Sequence, residues 1–250
     1  MILQIILKLN WENILPRQCL ILFLLFFVVN TTSVGAQEAS FSDLVDDGEA
    51  LLTTENAWWL LAGASATVLV YQVEDPEGAV KGLNESFLDP LFDFGNIWGD
   101  ARVQIPLALG CWAVGSLRDD DHLALFGYDL SRGVLLTYGV TSIGKYAFQR
   151  TRPNGDPYSF PSGHTSMAFT TAGVMSRHYG PWGTVAGVTL GVLTGLGRME
   201  DNKHYASDVV AGATIGWIIG RTVARNGPSQ DSAWQLVPSV NGVVLVGRFN

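Results

Sequence analysis

Cysteine is almost missing from this chain of 250 residues, with Cys19 and Cys111 the only two. If a segment holding Cys19 is removed in processing, one thiol remains and no intramolecular disulfide can form. Lysine is scarce as well: Lys8, Lys81, Lys145 and Lys203 are the whole set. Lys and Arg total 15 against 23 Asp and Glu, and a net charge of −8 suits a nucleic-acid partner poorly. Charged residues reach only 15% while apolar ones reach 48%, which excludes disorder and leaves material for one sizeable core. Long apolar runs are lacking too. The unbroken stretch from Cys19 to Val29 has 11 residues, short of the roughly 20 that span a bilayer.

The N-terminus reads as an export signal. Lys8 and Arg17 precede the apolar run, polar residues 30–33 follow, and the small-residue site Val34-Gly35-Ala36 stands before Gln37. Cleavage after Ala36 is expected, which places the protein in the periplasm or cell envelope. No small-residue lipobox precedes Cys19. The whole-chain mean hydropathy is +0.22, and without residues 1–36 it falls to about +0.04. Such a value fits a globular chain better than one that threads a bilayer many times. An exported bundle, free in water or resting on a membrane, is therefore favoured over a multi-span protein.

Residues 37–56 are acidic, a leader or short first helix. Apolar segments follow at 57–72, 103–117, 122–148, 164–179, 182–197 and 204–224, rich in Ala and Gly and without strand alternation. Residues 74–102 are mixed, with Asp75-Pro76, Asp89-Pro90 and Gly95 as breakers and a short helix near 78–88. The pattern predicts an all-α bundle of about six core helices, close-packed through small residues, over residues 57–227. Within residues 228–250, Trp234 to Val240 and Val243 to Phe249 flank Asn241-Gly242, a hairpin signal, so a small C-terminal β-hairpin is expected to pack as an appendage.

Three clusters carry chemistry. Lys145 is followed after six residues by Arg152-Pro153; next comes Pro161-Ser162-Gly163-His164; then Arg198, five residues, His204, three residues and Asp208. Arg offers a planar fork for phosphate oxygens and Lys a compact cation. Pro-Ser-Gly at a helix start presents a hydroxyl and free N–H groups to an anion. His204 and Asp208, four residues apart, are expected on one helical face, where the carboxylate can hold a proton on one ring nitrogen and leave the other nucleophilic. His164 can serve as general acid. Antiparallel helix order returns all three clusters to one rim.

In order and spacing, Lys145 to Asp208 resembles the three-part signature of the type 2 phosphatidic acid phosphatase (PAP2) superfamily, which includes bacterial acid phosphatases and vanadium haloperoxidases. One departure is Gly197, where the family often has Ser before the Arg. The resemblance implies that His204 attacks phosphorus to form a phosphohistidine, that Asp208 orients it, and that His164 protonates the leaving alkoxide and then activates water. It also implies phosphate binding by Lys145, Arg152, Ser162, Gly163 and Arg198. No metal or cofactor is expected, although vanadate or phosphate could occupy the site. The implied partner is a phosphorylated small molecule or lipid.

Other residues read blandly. His122 and His178 are expected to be structural, residues 119–121 a solvated acidic turn, and Trp58, Trp59, Trp98, Trp112 and Trp182 core or interface aromatics. Arg150 is open between a helix cap and a substrate contact. Rival readings are a multi-span lipid phosphatase or phosphotransferase, a vanadate-dependent haloperoxidase, and an inactive envelope scaffold. The intact charged and imidazole positions disfavour the scaffold.

Overall fold

The structure, a computed structural model, describes residues 41–74 and 88–225 and the backbone of residues 234–239 and 242–247. The expected signal over residues 1–36 and the expected helix near 78–88 lie outside the described residues, apart from Leu88. Among the described residues are α1 (Phe41–Ala50), α2 (Thr54–Val73), α3 (Asp89–Trp98), α4 (Ala101–Leu117), α5 (Asp121–Phe148), α6 (Gly163–His178), α7 (Gly180–Glu200) and α8 (Ala206–Val223). The protein is all-α in its bundle. Two strands, β1 (Trp234–Ser239) and β2 (Gly242–Gly247), pair antiparallel with Ser239 opposite Gly242, so Gly242 belongs to the strand.

The six expected helices are present, their ends within three residues of those expected, and α1 lies in the acidic stretch. Helix α3 was not expected, because Asp89-Pro90 and Gly95 read as breakers. Pro90 instead occupies the first turn of α3, where a missing N–H costs nothing. Gly95 lies against α7, where a Cβ would come within 2.5 Å of the Leu193 carbonyl carbon.

Helices α4, α5, α6 and α8 enclose the core, in which Ile105, Phe126, Leu130, Val134, Met167, Val174 and Ile219 meet. The α6–α8 contact is the most extensive in the bundle and uses a glycine ridge. A Cβ at Gly212 would sit 2.6 Å from the Ser162 carbonyl oxygen; at Gly216 and Gly220 it would sit 2.1 Å from those of Ser166 and Thr170. Small residues at every fourth position let the two backbones touch and align the N-termini of α6 and α8.

A buried ionic network ties α1 to this bundle. Arg132 donates to Asp47, Asp129 and the Val223 carbonyl; Arg225 also reaches Asp47, and His178 pairs with Asp129 at 2.8 Å. His122 stacks on His178 with ring centroids 5.4 Å apart. Asp120 caps α5 by accepting from the Leu123 N–H.

Not every aromatic is inside. Trp58 is 74% exposed and Trp182 83%, alongside exposed Leu61, Leu69, Val73, Ile143 and Phe148. Of the two places expected for them, core or interface, Trp58 and Trp182 therefore do not take the core, and α2, apolar round most of its circumference, packs mainly on α8. Among the described residues no helix is long and apolar enough to cross a membrane.

Candidate active site

The site forms at one end of the bundle. Lys145 lies in the last turn of α5, which ends at Gln149 in the left-handed conformation (φ 46°) and turns the chain into a loop. That loop is fastened at several points. The Ser159 N–H donates to the Arg150 carbonyl at 2.7 Å, the Arg152 N–H to the Asp156 carbonyl at 2.8 Å, and the Asn154 N–H to the Asn202 carbonyl at 3.1 Å. Lys203 adds a 3.3 Å contact to Asp156. Arg152 is held by its Nε donating to the Pro157 carbonyl at 3.1 Å.

Ser162 is fully buried and caps α6. Its hydroxyl exchanges a 2.9 Å hydrogen bond with Thr165 Oγ1 and accepts from the Thr165 N–H at 3.4 Å, so it is engaged in the cap. The Ser162 N–H donates to the Asp208 carbonyl at 3.0 Å, which fixes the start of α6 to that of α8. Gly163 opens toward Lys145: a Cβ there would meet only Lys145 Cε, at 3.7 Å. Lys145 Nζ donates to the Tyr158 carbonyl at 2.8 Å.

His204 is 1% exposed, and Arg198 lies in the last turn of α7. The expectation that His204 and Asp208 share a helical face needs correction. Helix α8 begins at Ala206 after the cap residue Tyr205, so His204 precedes it and Asp208 occupies its third position. Asp208 Oδ2 folds back to accept the Tyr205 N–H at 2.9 Å, a carboxylate satisfying a helix-start donor. It lies 3.5 Å from His204 Nδ1, an ion-pair separation at which no hydrogen bond is formed.

Four partners were not legible beforehand. Arg150, left open above, donates to Asp208 Oδ1 at 2.8 Å and to Ser207 Oγ at 2.7 Å, with its other Nη on Glu74 Oε1 at 2.6 Å. It lies over the Tyr205 ring at 3.9 Å. Glu74 in turn accepts the Ser207 N–H at 2.8 Å. Ser159 donates to Asp208 Oδ2. Asp100, the cap of α4, lies 3.7 Å from His164 Nε2 and also holds Arg102. A contact spanning 64 residues leaves no local signal in the sequence.

Burial and clustered positive charge set the electrostatics. Burial, then Lys145 and Arg152, push His204 down to about 3, against the pull of Asp208. Burial, reinforced by Arg152 and Arg198, brings Lys145 down to about 7. His164 is also lowered, by burial and by Arg198 and Lys145, with Asp100 opposing. Burial alone would raise Asp208, but His204, Ser159 and the Tyr205 N–H outweigh it and hold the carboxylate below its ordinary range. Lys145 is thus an electrostatic neighbour of both histidines, and Arg198 feels both Arg152 and Asp100. Beside them opens a cavity of about 680 Å³ lined by Asn96, Ile97, Asp100, Arg102, His164 and Arg198.

Gly197 has a packing reason. A Cβ there would lie 2.7 Å from the Phe92 carbonyl oxygen and 2.9 Å from Asn96 Oδ1, so the glycine lets α3 approach and place Asn96 beside Arg198.

Residues 127–230 match the family model of the PAP2 superfamily. Over 92 residues the chain is 45% identical to the lipid A 1-phosphatase of Porphyromonas gingivalis, covering 35% of this chain and 21% of that protein. Over 155 residues it is 26% identical to the lipid A 4'-phosphatase of Helicobacter pylori, covering 57% of this chain and 75% of that protein. The chain therefore spans about a fifth of the length of the first of these relatives and three quarters of the second. Among solved structures, Aquifex aeolicus LpxE aligns with a TM-score of 0.45 at 24% identity, over 65% of this chain and 94% of that one. The transmembrane PAP2-type phosphatidylglycerolphosphate phosphatase of Bacillus subtilis aligns with a TM-score of 0.43 at 17% identity, over 82% and 94%. The PAP2 segment contains all eight residues singled out from the three clusters.

Proposed function

We propose that this PAP2 domain is a phosphatase that removes phosphate from a lipid in the cell envelope, through a covalent phosphohistidine. The observation that carries the proposal is His204, buried and held neutral, 3.5 Å from the Asp208 carboxylate and in the field of Lys145 and Arg152.

With its proton on Nδ1, facing Asp208, His204 has a lone pair on Nε2 for in-line attack on phosphorus. The P–N bond forms as the P–O ester bond breaks, and protonated His164 gives its proton to the departing oxygen. Water then attacks phosphorus and loses its proton to His164. The P–N bond breaks, phosphate leaves and His204 is restored. Lys145, Arg152, Arg198 and the Gly163 N–H offset charge on the equatorial oxygens, the main requirement of phosphoryl transfer. Ser162 holds the helix start that aims this N–H.

Lipid as the carrier is supported by the names of the two curated relatives and by the exposed apolar side chains of α2 and α7, which suit a bundle resting against a membrane. The test is phosphate release from lipid A, phosphatidate, a polyprenyl diphosphate and a soluble aryl phosphate, with and without detergent and EDTA. The reading expects a lipid phosphate to be preferred and EDTA to leave the rate unchanged. Failure to release phosphate from any of them would overturn it.

A further inference from the structure

Arg198 has to present its guanidinium from the end of α7 against the charge of its neighbours. Its backbone is fixed, because the Arg198 carbonyl accepts the N–H groups of Lys203 at 3.0 Å and His204 at 3.2 Å. That ties the root of its side chain to the His204 loop and leaves the side chain as the free variable. An arginine side chain is rich in rotamers, so an untethered fork loses entropy each time it binds. Burial lowers Arg198 most; among its charged neighbours Asp201, which raises it, outweighs Arg152, which lowers it, and Asp100 follows. Without Asp201, repulsion from Arg152 would turn the guanidinium outward.

Two side chains meet one nitrogen of that guanidinium. Asp201, the cap residue after α7, accepts from Arg198 Nη1 through Oδ2 at 3.3 Å. Asn96 on α3 accepts from the same Nη1 through Oδ1 at 3.5 Å, and its Nδ2 donates to Asp201 Oδ2 at 3.0 Å. The three side chains close a triangle. Only an amide can join the other two in this way, offering an acceptor to the cation and a donor to the carboxylate. Long contacts such as those on Nη1 tighten when a ligand draws the groups of a site into line.

We propose, on the reading above that Arg198 binds phosphate, that Asn96 and Asp201 are positioning residues that hold Nη1 so that the rest of the Arg198 fork meets the anion already aligned. Two observations separate this role from a merely structural one. Asp201 is badly placed for stability. Its side chain is 43% exposed at the carbonyl end of α7, where the helix dipole disfavours a carboxylate, and it adds to the burial and the Asp89 charge that raise Glu200. Asn96, for its part, lines the same cavity as His164 and Arg198. It reaches that place only because residue 197 is glycine, since a Cβ there would lie 2.9 Å from Asn96 Oδ1.

Equilibrium dialysis of the full chain against labelled inorganic phosphate tests the role apart from turnover. Asn96→Ala should weaken phosphate about fivefold, as expected for one long hydrogen bond to a charged group. Asp201→Ala should weaken it about threefold. Charge alone predicts the opposite, because removing an acid beside an anion should tighten binding. The Tm of Asp201→Ala should not fall, since the helix end loses an unfavourable carboxylate. On an Arg198→Ala background, Asn96→Ala should have no further effect, a non-additivity that lost packing would not produce. Phosphate bound by Arg198→Ala as tightly as by the parent would remove Arg198 from the phosphate site altogether. With Arg198→Ala weakened, three results would overturn the positioning role alone: unchanged binding in Asn96→Ala, unchanged or tighter binding in Asp201→Ala, or the same loss from Asn96→Ala on both backgrounds.

Discussion

Asp208 is bonded to Arg150 at 2.8 Å but stands 3.5 Å from His204. The carboxylate is therefore fixed first by its own surroundings: Arg150 on Oδ1, with Ser159 and the Tyr205 N–H on Oδ2. Glu74 holds Arg150 from behind and reaches Ser207 as well. His204 thus receives a carboxylate already oriented, as supporting partners often provide.

Glu74 is accordingly a positioning residue. Glu74→Ala should lower kcat about 10-fold with little change in KM, and Glu74→Asp should restore part of the loss. A change confined to KM, or no rescue by Asp, would show that Glu74 acts only on substrate binding or on folding.

The pH profile follows from the directions of three shifts. His204 must be neutral, so activity falls only as pH drops toward about 3. His164 must be protonated, and its lowered value means that kcat/KM falls as pH rises through a point below the ordinary 6.5. Lys145 loses its charge near 7 and steepens that alkaline fall. Asp100 raises His164, so Asp100→Asn should move the alkaline limb to lower pH. A limb that stays in place in this variant would remove Asp100 from the account.

Gly197 gives a stability test. Gly197→Ser restores the residue frequent in the family but drives a Cβ against the Phe92 carbonyl. The expected loss is about 1–3 kcal/mol, read as a lower Tm, together with a weaker grip on Arg198 through displaced Asn96. An unchanged Tm would mean that α3 can move aside freely.

The bundle was legible because its apolar segments are long, rich in small residues and free of alternation, and because Lys145, His164 and Arg198 fall at ends that antiparallel order brings together. Helix α3 was hidden because Pro90 is a breaker in general but a good first-turn residue here. The geometry of His204 and Asp208 was misjudged because spacing alone cannot show where a helix starts, and α8 starts between them. Asp100 and Glu74 escaped for a different reason: their contacts with His164 and Ser207 join distant parts of the chain. Trp58 and Trp182 read as core or interface aromatics, and only packing shows that they face outward.

The central claim concerns the bond between phosphorus and His204. Rapid acid-free quenching of the chain with a phosphate-labelled lipid substrate, followed by peptide mapping, should find label that is stable to alkali and labile to acid on residue 204. His204→Ala should carry no label and lose turnover by at least about 1,000-fold while keeping its helical circular dichroism. Label on another residue, or substantial turnover in the folded variant, would contradict the account.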